Sequence, residues 1–323
     1  MNEFELINQL QSRVNGWMPA EVESALLGIG DDAAVLQCPA GQQLVVTVDT
    51  LVEGVHFAPQ SSAADIGFKA LAVNLSDLAA MGATPAWFFL ALTLPEVSPR
   101  WIDAFSHGLS VLSEQSRIQL CGGDTTSGPL SVTITAMGLV NPGEALTRGG
   151  ARPGDLVVVS GFCGLASYAL KQIEQGARPA EKAVQAMNRP EPRLKLGRLL
   201  AGKANACIDI SDGLAADLAH IAKASGLGAE IELWRLPVPA ELAGLPQVDR
   251  WEHQLSGGDD YELCFALSPE RAVELKEWAE QADVELTVIG RITSGSDVQF
   301  LREDGGRFSP ARRGFDHFPG VQA

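Results

Sequence analysis

The chain has 323 residues, 46% of them hydrophobic, and is long enough for two ordinary globular domains. Its net charge of −16 argues against a protein that binds nucleic acid, because that binding depends on Lys and Arg neutralising phosphates. The five dispersed cysteines have no C-x-x-C spacing and indicate neither a disulfide framework nor a zinc site.

The N-terminal residues and the apolar runs predict a cytoplasmic protein that does not contact a membrane. Glu3 and Glu5 give the beginning of the chain the wrong charge for a secretory signal. The apolar run over 87–94 is far shorter than the roughly 20 residues that a membrane-spanning helix needs.

Hydrophobic periodicity in the first half predicts an alternation of helices and strands. In chain order these are a helix over 5–15, strands over 33–37 and 44–51, a helix over 65–81, a strand over 87–94, a helix from Ser98-Pro99 to about 116, and strands over 118–121 and 131–140. Asp77 shares one helical face with Ile66, Ala70 and Val73, which predicts that it lies on a buried row.

The pattern changes around 141–143, and we place a domain boundary near residue 145. The second half begins with an apolar run over 156–159. It has predicted strands near 206–210, 229–233, 261–267 and 284–290, and helices near 164–175, 193–201, 213–225 and 269–281. These strands and helices do not alternate regularly, so the predicted fold class is α+β, with mixed sheets flanked by helices in two domains, 1–145 and 146–323.

Acidic residues beside Gly, Ser or Thr recur along the chain. They occur in Gly28 to Val35, Thr47 to Thr50, Asn74 to Asp77, Gly122 to Thr126, Asp209 to Gly213 and Ser256 to Asp260. Carboxylates without paired His or Cys favour Mg²⁺ or Mn²⁺ over zinc or copper. We therefore expect the fold to bring these carboxylates together at one metal site.

The stretch Gly28-Ile29-Gly30-Asp31-Asp32-Ala33 formally matches the G-x-G-x-x-A dinucleotide fingerprint. That fingerprint requires a strand before it and a helix after it, with backbone N–H groups facing a pyrophosphate. Here a strand is predicted after it, and two carboxylates would face the phosphates. The context therefore argues against dinucleotide binding.

Each acidic motif also has a structural alternative. Asp77 can cap a neighbouring helix or pair with a cation, although Lys69 is the only Lys or Arg over 14–99, which favours a metal partner. The stretch 122–126 can be a hairpin loop or a cradle for metal-bound phosphate. The stretch 209–213 can be a helix N-cap or a phosphate site at the positive end of a helix.

Two basic residues are open to the same two interpretations. Arg148 lies between Thr147 and two glycines and can be an exposed hinge residue or a fork that binds phosphate. His56 follows the strand that carries Asp49, and a lone histidine of this kind is more often structural.

Taken together and in order, these motifs resemble those of the thiamine-monophosphate kinase family, a relative of aminoimidazole-ribonucleotide synthetase and selenophosphate synthetase. The resemblance covers nearly the whole chain. It is carried by Gly28 to Val35, Asp49 to Phe57, Lys69 to Gly82, Gly122 to Thr126, Leu146 to Arg148, Asp209 to Gly213, Ser256 to Leu263 and Gly314 to Phe318.

The resemblance implies roles for particular residues. Positions that hold several Mg²⁺ ions are matched by Asp31, Thr47, Asp49, Asp77, Asp124, Asp209 and Asp212. ATP-binding positions are matched by Gly123, Asp124, Arg148 and Ser211. Substrate positions are matched by His56, Asp259 and Phe315, with the Phe315 ring placed to stack on a ring of thiamine phosphate.

Two residues depart from the family pattern. Val48 stands where relatives can carry a hydroxyl residue, and Asp259 stands where others have Glu, which shortens its reach to substrate by one methylene.

The resemblance further implies direct transfer of the γ-phosphoryl group of ATP to thiamine monophosphate, with Mg²⁺ as cofactor. It implies a homodimer that packs through the N-terminal domains. The alternatives are another ATP-dependent enzyme of the superfamily, or a non-catalytic protein that binds metal or nucleotide.

Overall fold

The computed structural model describes residues 3–17 and 25–315. The chain divides into two compact units, one of residues 1–78 and 83–143 and the other of residues 79–82 and 144–323. The main break therefore falls beside the boundary that the sequence predicts near residue 145.

The N-terminal unit is built on a four-stranded sheet. Its elements are α1 (Glu3–Val14), β1 (Ala25–Leu27), β2 (Val35–Leu36), β3 (Gln43–Val52), α2 (Ala63–Ala80), β4 (Thr84–Leu94), α3 (Pro99–Ser116), β5 (Gln119–Ser127) and β6 (Ser131–Val140). The sheet has the strand order β3-β6-β4-β5, in which β5 runs parallel to β4 and the other pairs are antiparallel. Strands β1 and β2 form a separate antiparallel pair.

The two faces of β3 have very different surroundings. Leu44, Val46 and Val48 are 46%, 53% and 60% exposed. The alternate residues Thr47 and Asp49 are partly buried. The apolar row of this strand is therefore the row that faces solvent in the single chain, which is unusual because a half-covered sheet normally turns its apolar face inward.

Strand β5 is longer than the sequence predicts. The strand predicted over 118–121 extends to Ser127 and includes the whole stretch 122–126, which we had interpreted as a loop. Pairing along β4 keeps the chain extended, and a Cβ at Gly123 would lie 1.8 Å from the carbonyl oxygen of Leu90. Glycine at position 123 thus permits close backbone packing inside the sheet.

The C-terminal unit contains a seven-stranded mixed sheet and most of the remaining helices. Its elements are β7 (Leu156–Ser160), α4 (Leu165–Glu174), α5 (Glu181–Asn188), α6 (Leu194–Leu200), β8 (Ala206–Asp209), α7 (Leu214–Ser225), β9 (Gly228–Glu232), α8 (Gln247–Ser256), β10 (Leu263–Leu267), α9 (Leu275–Ala282), β11 (Leu286–Thr293), β12 (Val298–Leu301) and β13 (Arg307–Phe308). The sheet order is β13-β12-β9-β11-β7-β10-β8.

The α+β prediction is confirmed, with several elements added by the structure. Helices α5 and α8 and strands β12 and β13 were not predicted, and the helix predicted over 269–281 begins as a 3₁₀ turn over Pro269–Glu274. In the core of the C-terminal unit, Val157, Ile208, Leu218 and Cys264 are at most 2% exposed. Within the described residues, no helix has the length and apolar character needed to cross a membrane.

Candidate functional site

The first group of predicted site residues lies in the N-terminal unit, where β3 meets α2. Thr47 Oγ1 donates a hydrogen bond of 2.5 Å to Asp77 Oδ2. Burial, followed by the charge of Asp77 and a hydrogen bond to it, raises the pKa of Asp49 to about 7. Thr47, Asp49 and Asp77 are therefore in one cluster, as the metal-site prediction requires.

The periodicity of α2 explains how Asp77 reaches this cluster. Ile66, Ala70 and Val73 are buried, as the helical face predicts, whereas Asp77 near the end of the same row is partly exposed. Two carboxylates in contact repel when both are charged, so they either share a proton or bind a cation. The hydroxyl and carboxylate oxygens are donors that suit Mg²⁺.

His56 lies in the turn that follows β3, and hydrogen bonds to Val52 and Lys69 are among the contacts that hold it. The Val52 backbone N–H donates to His56 Nδ1 at 3.0 Å, so the neutral ring carries its proton on Nε2. Lys69, which is 4% exposed, donates to the carbonyl oxygen of His56 at 3.3 Å. The buried lysine thus supports the backbone of His56, a role that the sequence motifs do not predict.

Asp31 lies in the connection between β1 and β2 and is exposed. Its Oδ1 accepts a hydrogen bond of 2.8 Å from the backbone N–H of Asp32. Because β2 follows this connection, the structure supports the rejection of the dinucleotide fingerprint.

The sheet register separates Asp124 from Asp49 within one chain. Asp49 on β3 pairs with Ile134 on β6. Ile134 pairs with Leu90 on β4, and Leu90 pairs with Gly123 on β5, so these four residues form one row across the sheet. Asp124 is in the next row and therefore faces the opposite side of the sheet. Strands β3 and β5 are opposite edges, about 14 Å apart at roughly 4.8 Å per strand. Asp124 therefore does not join Asp49 on one face of the sheet of a single chain, and its role as a metal ligand stays a prediction.

The second group surrounds the loop over 209–213, between β8 and α7. Asp209 is 5% exposed at the end of β8, Ser211 is exposed and Asp212 is partly buried. The backbone N–H groups of Ser211, Asp212 and Gly213 all donate to Asp217 Oδ2 at 3.1 Å.

This contact bears on the two interpretations of the stretch 209–213. The N–H groups at the positive end of the helix, which one interpretation offers to a phosphate, donate to Asp217, itself 3% exposed. Burial and then the charge of Asp212 raise the pKa of Asp217 to about 7, although its three backbone hydrogen bonds lower it. The parts of this loop left for ligands are the Ser211 hydroxyl and the Asp212 carboxylate.

The stretch 258–261 packs against the same loop in a strained conformation. Asp259 and Tyr261 have φ of 62° and 52°, a region that non-glycine residues rarely adopt. Between them, Asp260 Oδ1 accepts from the Gly164 backbone N–H at 2.8 Å, and burial raises the pKa of its carboxyl group well above the usual value. Backbone strain of this kind is typical of functional sites.

Two further predicted residues lie in the C-terminal unit. Phe315 is 50% exposed, and its backbone N–H donates to the Asp212 carbonyl oxygen at 3.0 Å, which ties Phe315 to the loop over 209–213. Arg148 is exposed, and the nearby Gly150 has φ of 113°. A Cβ at Gly150 would lie 2.6 Å from the Asn205 carbonyl oxygen. The rest of the predicted tail motif, 316–318, is outside the described residues.

Three supporting residues are not predicted by the sequence motifs: Lys69, Asp217 and Asp260. Asp217 had a usable signal, because it is an acidic residue in the first turn of a predicted helix. Within 3–17 and 25–315, no group of three or more His, Cys, Asp and Glu side chains is arranged to hold a metal. The cluster of Thr47, Asp49 and Asp77 offers two carboxylates and a hydroxyl.

Comparison with known proteins covers both units. Residues 30–140 match the N-terminal domain of AIR synthase related proteins, and residues 152–302 match the C-terminal domain of the same family. The chain is 44% identical over 324 residues to the thiamine-monophosphate kinase of Escherichia coli K12, covering 98% of each chain.

The chain is also similar to solved structures of thiamine-monophosphate kinases. The crystal structure of thiamine-monophosphate kinase from Stenotrophomonas maltophilia K279a is similar with a TM-score of 0.86 and 47% identity, covering 95% of this chain and 98% of that one. AaThiL complexed with AMPPCP and TMP is similar with a TM-score of 0.76 and 30% identity, covering 98% and 97%.

Proposed function

The chain belongs to the thiamine-monophosphate kinases of the AIR synthase related family, and from this premise we propose how its residues serve the reaction. The enzyme phosphorylates thiamine monophosphate with ATP as co-substrate. The products are ADP and thiamine diphosphate.

The transfer proceeds directly and in line. An oxygen of the substrate phosphate forms a bond to the γ-phosphorus, while the bond to the β,γ-bridging oxygen breaks and its electron pair leaves with ADP. The attacking oxygen is already anionic at neutral pH, so no general base is required. The remaining obstacle is the repulsion between two polyanions, which positioning and charge stabilisation must overcome.

One observation carries the metal assignment: the partly buried carboxylates of Asp49 and Asp77 lie in contact in a strongly acidic protein. We assign Thr47, Asp49 and Asp77 as a Mg²⁺-binding group, because a divalent cation would stabilise the charged carboxylates against the burial and the repulsion from Asp77 that raise the pKa of Asp49. Bound Mg²⁺ supplies positive charge to the phosphates and orients them. Asp31 and Asp124 of the N-terminal unit, and Asp209 and Asp212 of the C-terminal unit, are the further ligands that the family resemblance implies.

The other residues bind and orient the two substrates. Gly123, Arg148 and Ser211 bind ATP, where the exposed guanidinium of Arg148 can form a fork on a phosphate. His56 and Asp259 bind thiamine monophosphate, and the half-exposed ring of Phe315 stacks on it.

A homodimer forms through the sheet of the N-terminal unit. The apolar row of Leu44, Val46 and Val48 is exposed, and β1 and β2 add Leu26 and Val35, which are 64% and 48% exposed. Contiguous apolar surface of this kind marks protein interfaces. Asp124 lies on the same face of the sheet, so dimerisation brings this carboxylate towards a second copy.

Light scattering at micromolar concentration tests the dimer. The protein should have the mass of two chains, and Val48→Glu should shift it to a monomer, because a charge is costly to bury in an apolar interface. A monomeric mass for the unaltered protein would refute the dimer.

The enzyme acts in the cytoplasm on small molecules, without nucleic acid or membrane partners. The acidic charge supports this assignment.

Release of ADP, measured with and without thiamine monophosphate and with and without Mg²⁺, tests the proposed function. The kinase requires both for turnover. ADP release without thiamine monophosphate would indicate another ATP-dependent enzyme. Binding of ATP or Mg²⁺ without any release of ADP would indicate a non-catalytic protein.

A further inference from the structure

The loop over 209–213 carries three of the residues assigned to ATP and metal, and one buried carboxylate organises it. Asp217 lies in the first turn of α7 and is 3% exposed. A single oxygen of this side chain, Oδ2, accepts from three successive backbone N–H groups, those of residues 211, 212 and 213, each at 3.1 Å. The loop amides thus form an anion-binding nest that the protein fills with its own carboxylate.

The carbonyl oxygens of the same loop point to other segments of the C-terminal unit. The carbonyl oxygen of Ser211 accepts from the Asp259 backbone N–H at 2.7 Å, and that of Asp212 accepts from the Phe315 backbone N–H at 3.0 Å. The peptides that join Ser211 to Asp212 and Asp212 to Gly213 are therefore held on their N–H side by Asp217 and on their carbonyl side by a segment that carries a proposed substrate residue.

This arrangement leaves the loop little freedom to adjust. Charge-assisted hydrogen bonds to a buried carboxylate are roughly twice as strong as neutral ones. Gly258 packs against the other side of the loop, where a Cβ would lie 2.6 Å from the Ser211 carbonyl oxygen. A shift of the loop away from Asp217 would therefore displace the Ser211 hydroxyl, the Asp212 carboxylate and the backbone of Asp259 and Phe315 together.

We propose that Asp217 is a positioning residue for phosphoryl transfer, which fixes the ATP and metal residues Ser211 and Asp212 and couples them to the substrate residues Asp259 and Phe315. This inference rests on the proposed function, and no contact of Asp217 with a substrate is required. The loop backbone transmits its effect.

The test uses Asp217→Asn in the full-length enzyme, with Asp249→Asn as the matched control. Asn keeps the size of the side chain and one accepting oxygen, but it removes the charge that holds three N–H groups. Asp249 is also acidic and in the first turn of a helix, α8, but it is exposed. Each variant is compared with the unaltered enzyme by circular dichroism, thermal unfolding and steady-state kinetics per folded enzyme.

Asp217→Asn should lower kcat/KM for ATP by about 10- to 100-fold, the range for residues that orient metal ligands. The Mg²⁺ concentration for half-maximal activity and the KM for thiamine monophosphate should both rise, and Asp249→Asn should change neither. A folded Asp217→Asn enzyme with unaltered Mg²⁺ and substrate dependence would overturn the inference. Loss of the fold in both Asp217→Asn and Asp217→Glu would also overturn it, because Asp217 would then serve stability alone.

A double-mutant cycle separates positioning from an independent effect. Because Asp217 acts in part through Ser211, the loss of activity in the Ser211→Ala/Asp217→Asn enzyme should be at least about 3-fold smaller than the product of the two single losses. Multiplicative losses would contradict the inference. If the unaltered enzyme releases no ADP in response to thiamine monophosphate, the proposed function fails; if it does so and Asp217→Asn matches it, the positioning inference fails.

Discussion

The cluster of Thr47, Asp49 and Asp77 and the loop over 209–213 both collect carboxylates, but they treat negative charge in opposite ways. In the cluster, two carboxylates meet on regular elements, β3 and α2, and the pKa of Asp49 rises to about 7. In the loop, one buried carboxylate, Asp217, meets three backbone N–H groups.

The difference shows how an acidic protein can prepare a site for polyanions. The cluster holds charge that its own residues do not balance, and this favours a cation from solvent. In the loop, the carboxylate of Asp217 binds backbone N–H groups of the protein itself, and we expect the side chains of Ser211 and Asp212 to bind ligands. We therefore expect changes in the cluster to alter metal binding, and changes around the loop to alter geometry.

The largest effect should come from Asp49→Asn, which removes charge from the cluster. We expect kcat/KM to fall by about 100- to 1000-fold, as for the loss of one strong electrostatic group. Mg²⁺ raises the melting temperature of a protein that binds it, and this increase should be much smaller in the variant. Asp103→Asn, which changes an exposed carboxylate of α3, is the control. Full turnover of Asp49→Asn would refute the metal-binding assignment.

Gly258→Ala tests the rigid packing of the loop. Its φ of 67° and the 2.6 Å approach to the Ser211 carbonyl oxygen predict both strain and displacement. The expected loss in kcat/KM is about 10- to 100-fold, with a lower melting temperature. Gly226→Ala is the matched control, because Gly226 also has φ of 67° but open space around its Cβ position. Equal losses of activity in both variants would show that strain, and not the contact with Ser211, matters.

Thr47→Val should have a smaller effect on the cluster. Valine has the same shape but cannot donate to Asp77, so we expect a loss in kcat/KM of roughly 3- to 10-fold. Thr47→Ser keeps the hydroxyl and should restore most of the activity in the same assay. If Thr47→Ser is as impaired as Thr47→Val, the methyl group is the important part of Thr47.

The smallest effect should be the pH dependence of stability that Asp260 causes. Its pKa is raised in the folded state by burial, with Glu262, Asp259 and Asp217 as the charged neighbours that raise it further. The folded state thus holds the proton more tightly, and stability is lost as the pH rises from the ordinary Asp range towards the folded pKa. Asp260→Asn should flatten the decline in melting temperature between pH 5 and pH 8. An unchanged slope would contradict a raised pKa for Asp260 in the folded state.

Much of the fold could be predicted from sequence because its signals are local. The face shared by Ile66, Ala70 and Val73 located α2, and Ser98-Pro99 located the beginning of α3, where Ser98 caps the helix. Strand β5 was predicted too short, because the pairing of 122–127 with β4 is a tertiary contact and glycine there indicates a turn when only the sequence is considered.

In the candidate site, too, some features could be predicted from local sequence signals and others depend on tertiary contacts. The motifs around Asp49, Asp77 and Ser211 were visible as acidic residues beside Gly, Ser or Thr, and the resemblance to a family assigned their roles. The three N–H groups on Asp217 were not visible, because a helix residue and a loop peptide become partners only when the first turn of α7 has formed.

The sequence by itself determined the α+β class, the kinase family and the identity of the acidic residues, since composition, periodicity and motif order are properties of the chain. Only the tertiary structure decided which carboxylates meet. Asp49 and Asp77 contact each other because β3 packs on α2, whereas Asp124 faces away because side chains alternate along β5. Sequence spacing cannot specify such contacts, because they depend on strand order and on which face of the sheet the helices cover.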